Sequence, residues 1–180
     1  MGVERYPEAM EFILHWGEMG THWGANRSVA QIHALLYLSD APLDAEAICD
    51  ALGLARSNVS TALKELQGYG IVRRTHVAND RRDHFVAETD LWTLFMAITA
   101  ERKRREIDPT IAKLADLQAR MVDNISLPAH VRERIGAMHQ FIATLTDWYA
   151  QVRGLKKSTL ISLMKLGARV ARFVPGSGKD

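Results

Sequence analysis

The chain has 180 residues, 47% of them hydrophobic, with Lys+Arg 23 against Asp+Glu 21 for a net charge of +2. This length suits one domain with a helical extension and is enough to bury a core; so small a charge excess carries no argument for nucleic acid, which must rest on where the charges sit. The single cysteine, Cys49, excludes an intrachain disulfide framework and a Cys-x-x-Cys metal site; no apolar run nears the ~20 residues that span a bilayer, and the opening MGVERYPEAM lacks the apolar stretch of a secretory signal, so a soluble, cytoplasmic protein without a membrane partner is expected.

Residues 7–20 read as a helix with Met10, Ile13, Leu14 and Gly17 on one side, and Gly20 and Gly24 punctuate its end. Residues 1–24 form a first segment. Ser28 begins a second helix, where Ser28 and Gln31 make a capping-box pattern ahead of Ile32, Leu35, Leu36 and Leu38. SDAPLD is a turn, and Asp44 caps a short helix ending at Leu52, broken by Gly53. A third helix runs from about Ala55 to Gln67, with Val59, Ala62, Leu63 and Leu66 as its buried stripe. Ile71–Val77 and His84–Ala87 read as two strands of a hairpin joined by the polar run Ala-Asn-Asp-Arg-Arg-Asp.

From Thr89 onward the pattern is helical. Pro109 marks a new helix start or a kink. Val131, Ile135, Met138, Ile142, Leu145, Tyr149 and Val152 keep the spacing of a heptad seam, widened by Phe141 and Trp148. The seam either packs on the protein's own winged domain or meets a second copy across a dimer, and its regularity favours the dimer. A last segment, about 156–174, is apolar with a basic stripe of Lys165, Arg169 and Arg172. It reads as a dimer-capping helix or a membrane-surface helix. Residues 175–180 are expected to be a disordered tail. The expected fold is mainly α with a small β-wing: a winged helix-turn-helix over 25–90, with dimerisation helices before it and over 91–174.

Helix, short helix, helix and hairpin in that order make a plan for docking a helix in the major groove of DNA. The outer face of the third helix carries Arg56, Ser57, Asn58, Ser60, Thr61 and Lys64. Short hydroxyl and amide side chains allow close approach and reach phosphate or base edges, and Asn58 suits bidentate pairing with adenine. Arg81 and Arg82 stand at the wing tip, with Arg73 and Arg74 on its first strand. Arg81 and Arg82 are assigned to affinity, and Asn58 with Thr61 to specificity. Each feature alone is also what an ordinary solvated surface shows; their order and spacing together favour double-stranded DNA as partner. The alternative is a winged-helix protein–protein interaction module without DNA binding.

The stretch PLDAEAICDALGLARSNVSTALKELQGYGIVRR, continued by THVANDRRDHFVAETDLW, resembles the MarR superfamily, and within it the GbsR-like branch. The Asp80–Asp83 wing and Asp90–Trp92 carry the more specific likeness. The resemblance covers residues 28–105 well and the flanking helices in pattern only. It implies a homodimer, a winged helix in each subunit, and repression of transcription from a palindromic operator, tuned in some members by a small molecule. The family usually has Ser or Thr at the position of Ala55; alanine there removes a helix cap worth about 1 kcal/mol.

Trp faces attract quaternary ammonium ions, and GbsR-like relatives respond to choline-type effectors. Trp16, Trp23, Trp92 and Phe95 are therefore candidates for an effector cage, with ordinary core and dimer packing as the competing reading. Cys49 is expected to pack inward rather than act as a redox sensor. The run Glu101–Arg105 is a charged helix face, solvated or touching flanking DNA. The histidines, including His15, His22 and His33, show no i,i+4 pairing and no Cys or carboxylate set, so no metal and no cofactor is expected. No nucleophile–base set or phosphate-cradling loop is present, so no enzymatic activity is expected.

Overall fold

The computed structural model describes residues 2–121 and 127–167, the side chain of Glu4 excepted. The elements in order are α1 (Pro7–His22), α2 (Arg27–Leu38), β1 (Leu43–Asp44), α3 (Ala45–Leu52), α4 (Arg56–Gly68), β2 (Val72–Thr75), β3 (His84–Ala87), α5 (Leu91–Arg102), α6 (Asp108–Met121), α7 (Ala129–Arg153) and α8 (Lys157–Leu166). The fold is mainly helical, with one three-stranded antiparallel sheet ordered β1-β3-β2. The chain divides into two compact units, residues 1–101 and 102–180.

In the first unit α2 is the central helix. Its residues from Val29 to Leu36 are all buried, as expected of a helix surrounded by other elements. Around it stand Ile13 of α1, Ile48 of α3, Val59, Leu63 and Leu66 of α4, Phe85 of β3 and Leu94 of α5. Pro7 starts α1, where its missing N–H costs nothing. Gly17 and Gly20 let α1 approach α2 closely. A Cβ on Gly17 would stand 2.6 Å from Gln31 Cγ, and one on Gly20 would stand 2.5 Å from Ala30 Cβ.

That approach alters the expected start of α2. The helix is capped by Asn26, whose side chain accepts the Ser28 N–H at 2.8 Å, not by a Ser28–Gln31 box. Gln31 is buried beneath Gly17, because the glycine gap needs filling from the facing helix. Asp44 caps α3 as expected, accepting the Glu46 and Ala47 amides at 2.8 and 2.9 Å. Gly53 closes α3 in the left-handed conformation, φ 63°, which sets the tight turn into α4 at no Cβ cost. The hairpin β2–β3 forms over a shorter span than expected and gains a third strand. Leu43 and Asp44 pair with Phe85 and His84, supplying the otherwise open edge of β3 with partners. Cys49 is half-buried against the core.

In the second unit the charged run ending at Arg105 enters a π-helical turn, Lys103–Ile107, that leads directly into α6. Pro109 sits at the second position of α6, so the chain continues helically and the π turn absorbs the lost i→i−4 bond. Lys103 pairs with Asp108 across this turn. α7 is one helix of 25 residues packed on α6. None of its residues is buried within the chain: Met138, Phe141, Leu145 and Trp148 are exposed, Trp148 by 60%. Residues 168–180, including Arg169, Arg172 and the expected tail, lie outside the described residues.

Candidate nucleic-acid interface

α4 separates its residues by face. Val59, Ala62, Leu63 and Leu66 are buried. Arg56, Ser57, Asn58, Ser60, Thr61 and Lys64 are all exposed. The six side chains singled out from the sequence therefore share the solvent face of one helix, with no large apolar residue among them. Ala55 stands at the N-cap and makes no side-chain cap bond. Ser57 does not replace it, so the first turn keeps unsatisfied amides, which are donors toward an anion.

The wing rises beside α4. Arg73 and Arg74 are exposed on β2, and the connection to β3 carries Arg81 and Arg82. Asn79 takes a left-handed turn there, φ 63°, a conformation asparagine tolerates. The arginines differ in what they touch. Arg74 pairs with Asp83 across the wing at 3.0 Å. Arg82 turns back toward the domain. Its guanidinium donates to Asp80, with Nη2 2.6 Å from Oδ2 and Nε 3.0 Å from Oδ1, while its backbone N–H donates to Asp80 Oδ1 at 2.9 Å. Its Nη1 lies 2.6 Å from Asp44 Oδ2 and 3.8 Å from Glu46. These hydrogen bonds hold the Asp80 carboxyl well below the usual carboxylate range and raise the Arg82 guanidinium.

Arg81 and Arg82, taken together from the sequence as tip cations, thus separate. Arg82, its side chain still 58% exposed, ties the wing to α3 through Asp80 and Asp44. Arg81 is exposed and has no carboxylate partner among the described residues; the same holds for Arg56, Lys64 and Arg73. A cavity of about 420 Å³ runs between α4 and the wing, bordered by Arg56, Ser60, Lys64, Arg74, Arg82 and Glu46. This tie has no signature along the sequence, because Asp44 and Arg82 meet only through the pairing of β1 with β3.

One histidine also differs from expectation. His84 is buried on β3, opposite Asp44 in register. The Asp80 carboxylate stands beside it, 3.6 Å from His84 Nε2. A carboxylate set therefore does surround a histidine here. His33 is buried on α2 with Nε2 lacking a hydrogen bond, and burial pushes its pKa down to about 4.

The aromatic candidates fall into two groups. Trp16 stacks on Phe12 at 5.5 Å and meets Trp23 edge-on at 6.1 Å. Trp92 lies against Phe95 at 5.7 Å on α5. Trp23 and Phe95 are each more than half exposed.

Residues 25–83 match the MarR family model. The HTH-type transcriptional repressor GbsR of Bacillus subtilis is 26% identical over 97 residues, which are 54% of this chain and 53% of that protein. The chain thus matches about half the length of that relative. The crystal structure of a transcriptional regulator is similar at 25% identity with a TM-score of 0.61, over 82% of this chain and 97% of that one. A mutant S. aureus MepR bound to an oligodeoxyribonucleotide aligns with a TM-score of 0.38 at 18% identity, over 76% of this chain and 91% of that one.

Proposed function

The chain carries a MarR-family winged helix-turn-helix with a GbsR-like relation, and on that premise we propose that it is a DNA-binding transcriptional repressor acting as a homodimer on a palindromic operator. The observation that carries this reading is the shared exposure of two cationic elements. The face of α4 presents Arg56, Asn58, Thr61 and Lys64, and the adjoining wing presents Arg73 and Arg81, none of these cations paired to a carboxylate among the described residues. Helix and wing are the parts that enter the major groove and the neighbouring minor groove in this architecture. Arg81 and Arg73 supply phosphate contacts, Asn58 and Thr61 read base edges, and Arg82 holds the wing in place. No step of bond-making chemistry is assigned to any residue.

Two-fold assembly is supported by the exposed stripe of α7, Met138, Phe141, Leu145 and Trp148. Met138 and Leu145 belong to the heptad seam, whose Val131, Ile135, Ile142, Tyr149 and Val152 are half-buried, and Phe141 and Trp148 extend it into an apolar face that stays exposed among the described residues. Two copies would then present two recognition helices to successive half-sites.

Selection of bound duplexes from a random pool by the purified protein tests this reading. The expected product is a palindromic consensus, with affinity falling steeply in salt. Absence of both enrichment and salt-sensitive duplex binding overturns it in favour of a protein-interaction module. A small effector, quaternary ammonium in class, is assigned to the Trp16–Trp23 or Trp92–Phe95 group. Calorimetric titration with choline and glycine betaine tests that assignment; no heat at millimolar ligand ends it.

A further inference from the structure

The junction between the wing and α3 gathers Asp44, Asp80 and His84, and one ligand atom from each lies within 4.8 Å of the others. Asp44 and His84 are both buried. The two oxygens of Asp44 have separate tasks: Oδ1 caps α3, while Oδ2 faces the Arg82 guanidinium. His84 Nδ1 lies 3.0 Å from the carbonyl oxygen of Arg82. A carbonyl only accepts, so Nδ1 carries the hydrogen, and in the neutral ring Nε2 is a bare lone pair.

That nitrogen faces the Asp80 carboxylate at 3.6 Å, on a side chain only 8% exposed. A lone pair directed at a carboxylate is unfavourable unless a proton donor or a cation stands between them, and a metal ion meets that need as a water or a ring proton does. A backbone carbonyl fixing one ring nitrogen while the other faces a carboxylate is also how metal-ligating histidines are oriented. The cation now nearest is the Arg82 guanidinium, which sits between the two carboxylates and holds them apart.

We propose that Asp44, Asp80 and His84 form a site for a divalent first-row transition cation, zinc or manganese in character, in competition with the side chain of Arg82. Two carboxylates and an imidazole suit such an ion better than magnesium or calcium, which prefer oxygen alone. Tetrahedral bonds of about 2.1 Å place ligand atoms roughly 3.4 Å apart. The Asp80–His84 separation of 3.6 Å is already near that spacing; closing the rest requires the guanidinium to leave. Metal entry therefore frees Arg82 from Asp44 and Asp80, beside Arg81 and on the same wing. This consequence, a metal that strengthens duplex binding, rests on the DNA-binding reading above; the site itself does not.

The test uses the full, tag-free chain stripped of metal, with Zn²⁺ alone titrated against a chromophoric chelator. One competing site per chain is expected. His84→Gln and Asp80→Asn should each weaken it by at least about tenfold, and Arg82→Gln should tighten it by removing the competing cation. Melting curves accompany each variant; Asp80 lies in the wing loop, so Asp80→Asn keeps the test open if His84→Gln fails to fold. Absence of a competing site, affinity unchanged in Asp80→Asn, or weakening in Arg82→Gln overturns the proposal. The same samples are then titrated with duplex. Zinc bound in this pattern without tighter duplex binding overturns the coupling and leaves the site standing. No duplex binding with or without metal instead refutes the DNA-binding reading.

Discussion

Arg81 and Arg82 are neighbours in sequence, and their single replacements should have opposite signatures. Arg81 is exposed and unpaired among the described residues, whereas Arg82 joins Asp80, Asp44 and Glu46. If Arg81 contacts phosphate, Arg81→Ala removes one counterion-releasing contact per chain. Each such contact contributes about 0.9 to the slope of log affinity against log salt, so a two-fold complex loses about 1.8. Stability should be unchanged, since an exposed side chain without partners has nothing to lose. Arg82→Ala should instead lower the melting temperature, because it leaves Asp44 and Asp80 facing each other without their cation. Its duplex affinity should fall with a smaller change of salt slope than Arg81→Ala produces. Fluorescence anisotropy of a labelled duplex over a salt series gives the slopes, and thermal melts give the stabilities. An unchanged slope in Arg81→Ala, or equal melting temperatures for Arg82→Ala and the parent, would refute the division of labour.

The helix contact of α1 with α2 gives a second expectation. Gly20→Ala gains about 1 kcal/mol of helix propensity but sets a Cβ 2.5 Å from Ala30 Cβ, and overpacking of that kind costs about 1–3 kcal/mol; urea unfolding should show a net loss. Gly68→Ala, where a Cβ meets nothing within 4 Å, should be neutral or gain up to about 1 kcal/mol in the same assay. Ala55→Ser supplies the cap that α4 lacks and should stabilise by about 1 kcal/mol; no gain in melting temperature would mean the first turn is satisfied some other way. His33 stays neutral in the folded chain down to about pH 4, against an ordinary 6.5. Between those values the unfolded chain takes a proton that the folded chain refuses, so stability is full above about pH 6.5 and declines as pH falls toward 4, by about 3 kcal/mol in all. Unfolding curves across this window should show the decline, and His33→Leu should flatten it.

Much of the domain is legible along the chain, because its determinants are local. The stripe of Val59, Ala62, Leu63 and Leu66 identifies α4 and, by exclusion, the polar face opposite it. Asp44 and Gly53 bound α3 through a cap and a left-handed turn that depend on neighbouring residues only. Heptad spacing marks α7 as one helix. The start of α2 departs from its local pattern because Gln31 has two possible uses, a reciprocal cap or filling the gap left by Gly17, and only the facing helix decides between them.

The wing junction shows where local reasoning stops. A strand of two residues has too few positions to display an alternation, so β1 carries no signal apart from its pairing with β3. That pairing sets Asp44 opposite His84, brings the Arg82 guanidinium onto Asp44 and turns an ordinary helix cap into part of a charged cluster. The amino-acid sequence by itself determined which residues are cationic and which helix face is polar. The tertiary structure decided which of those cations remain free, since a charge is available to a partner only when no carboxylate from elsewhere in the fold has already taken it.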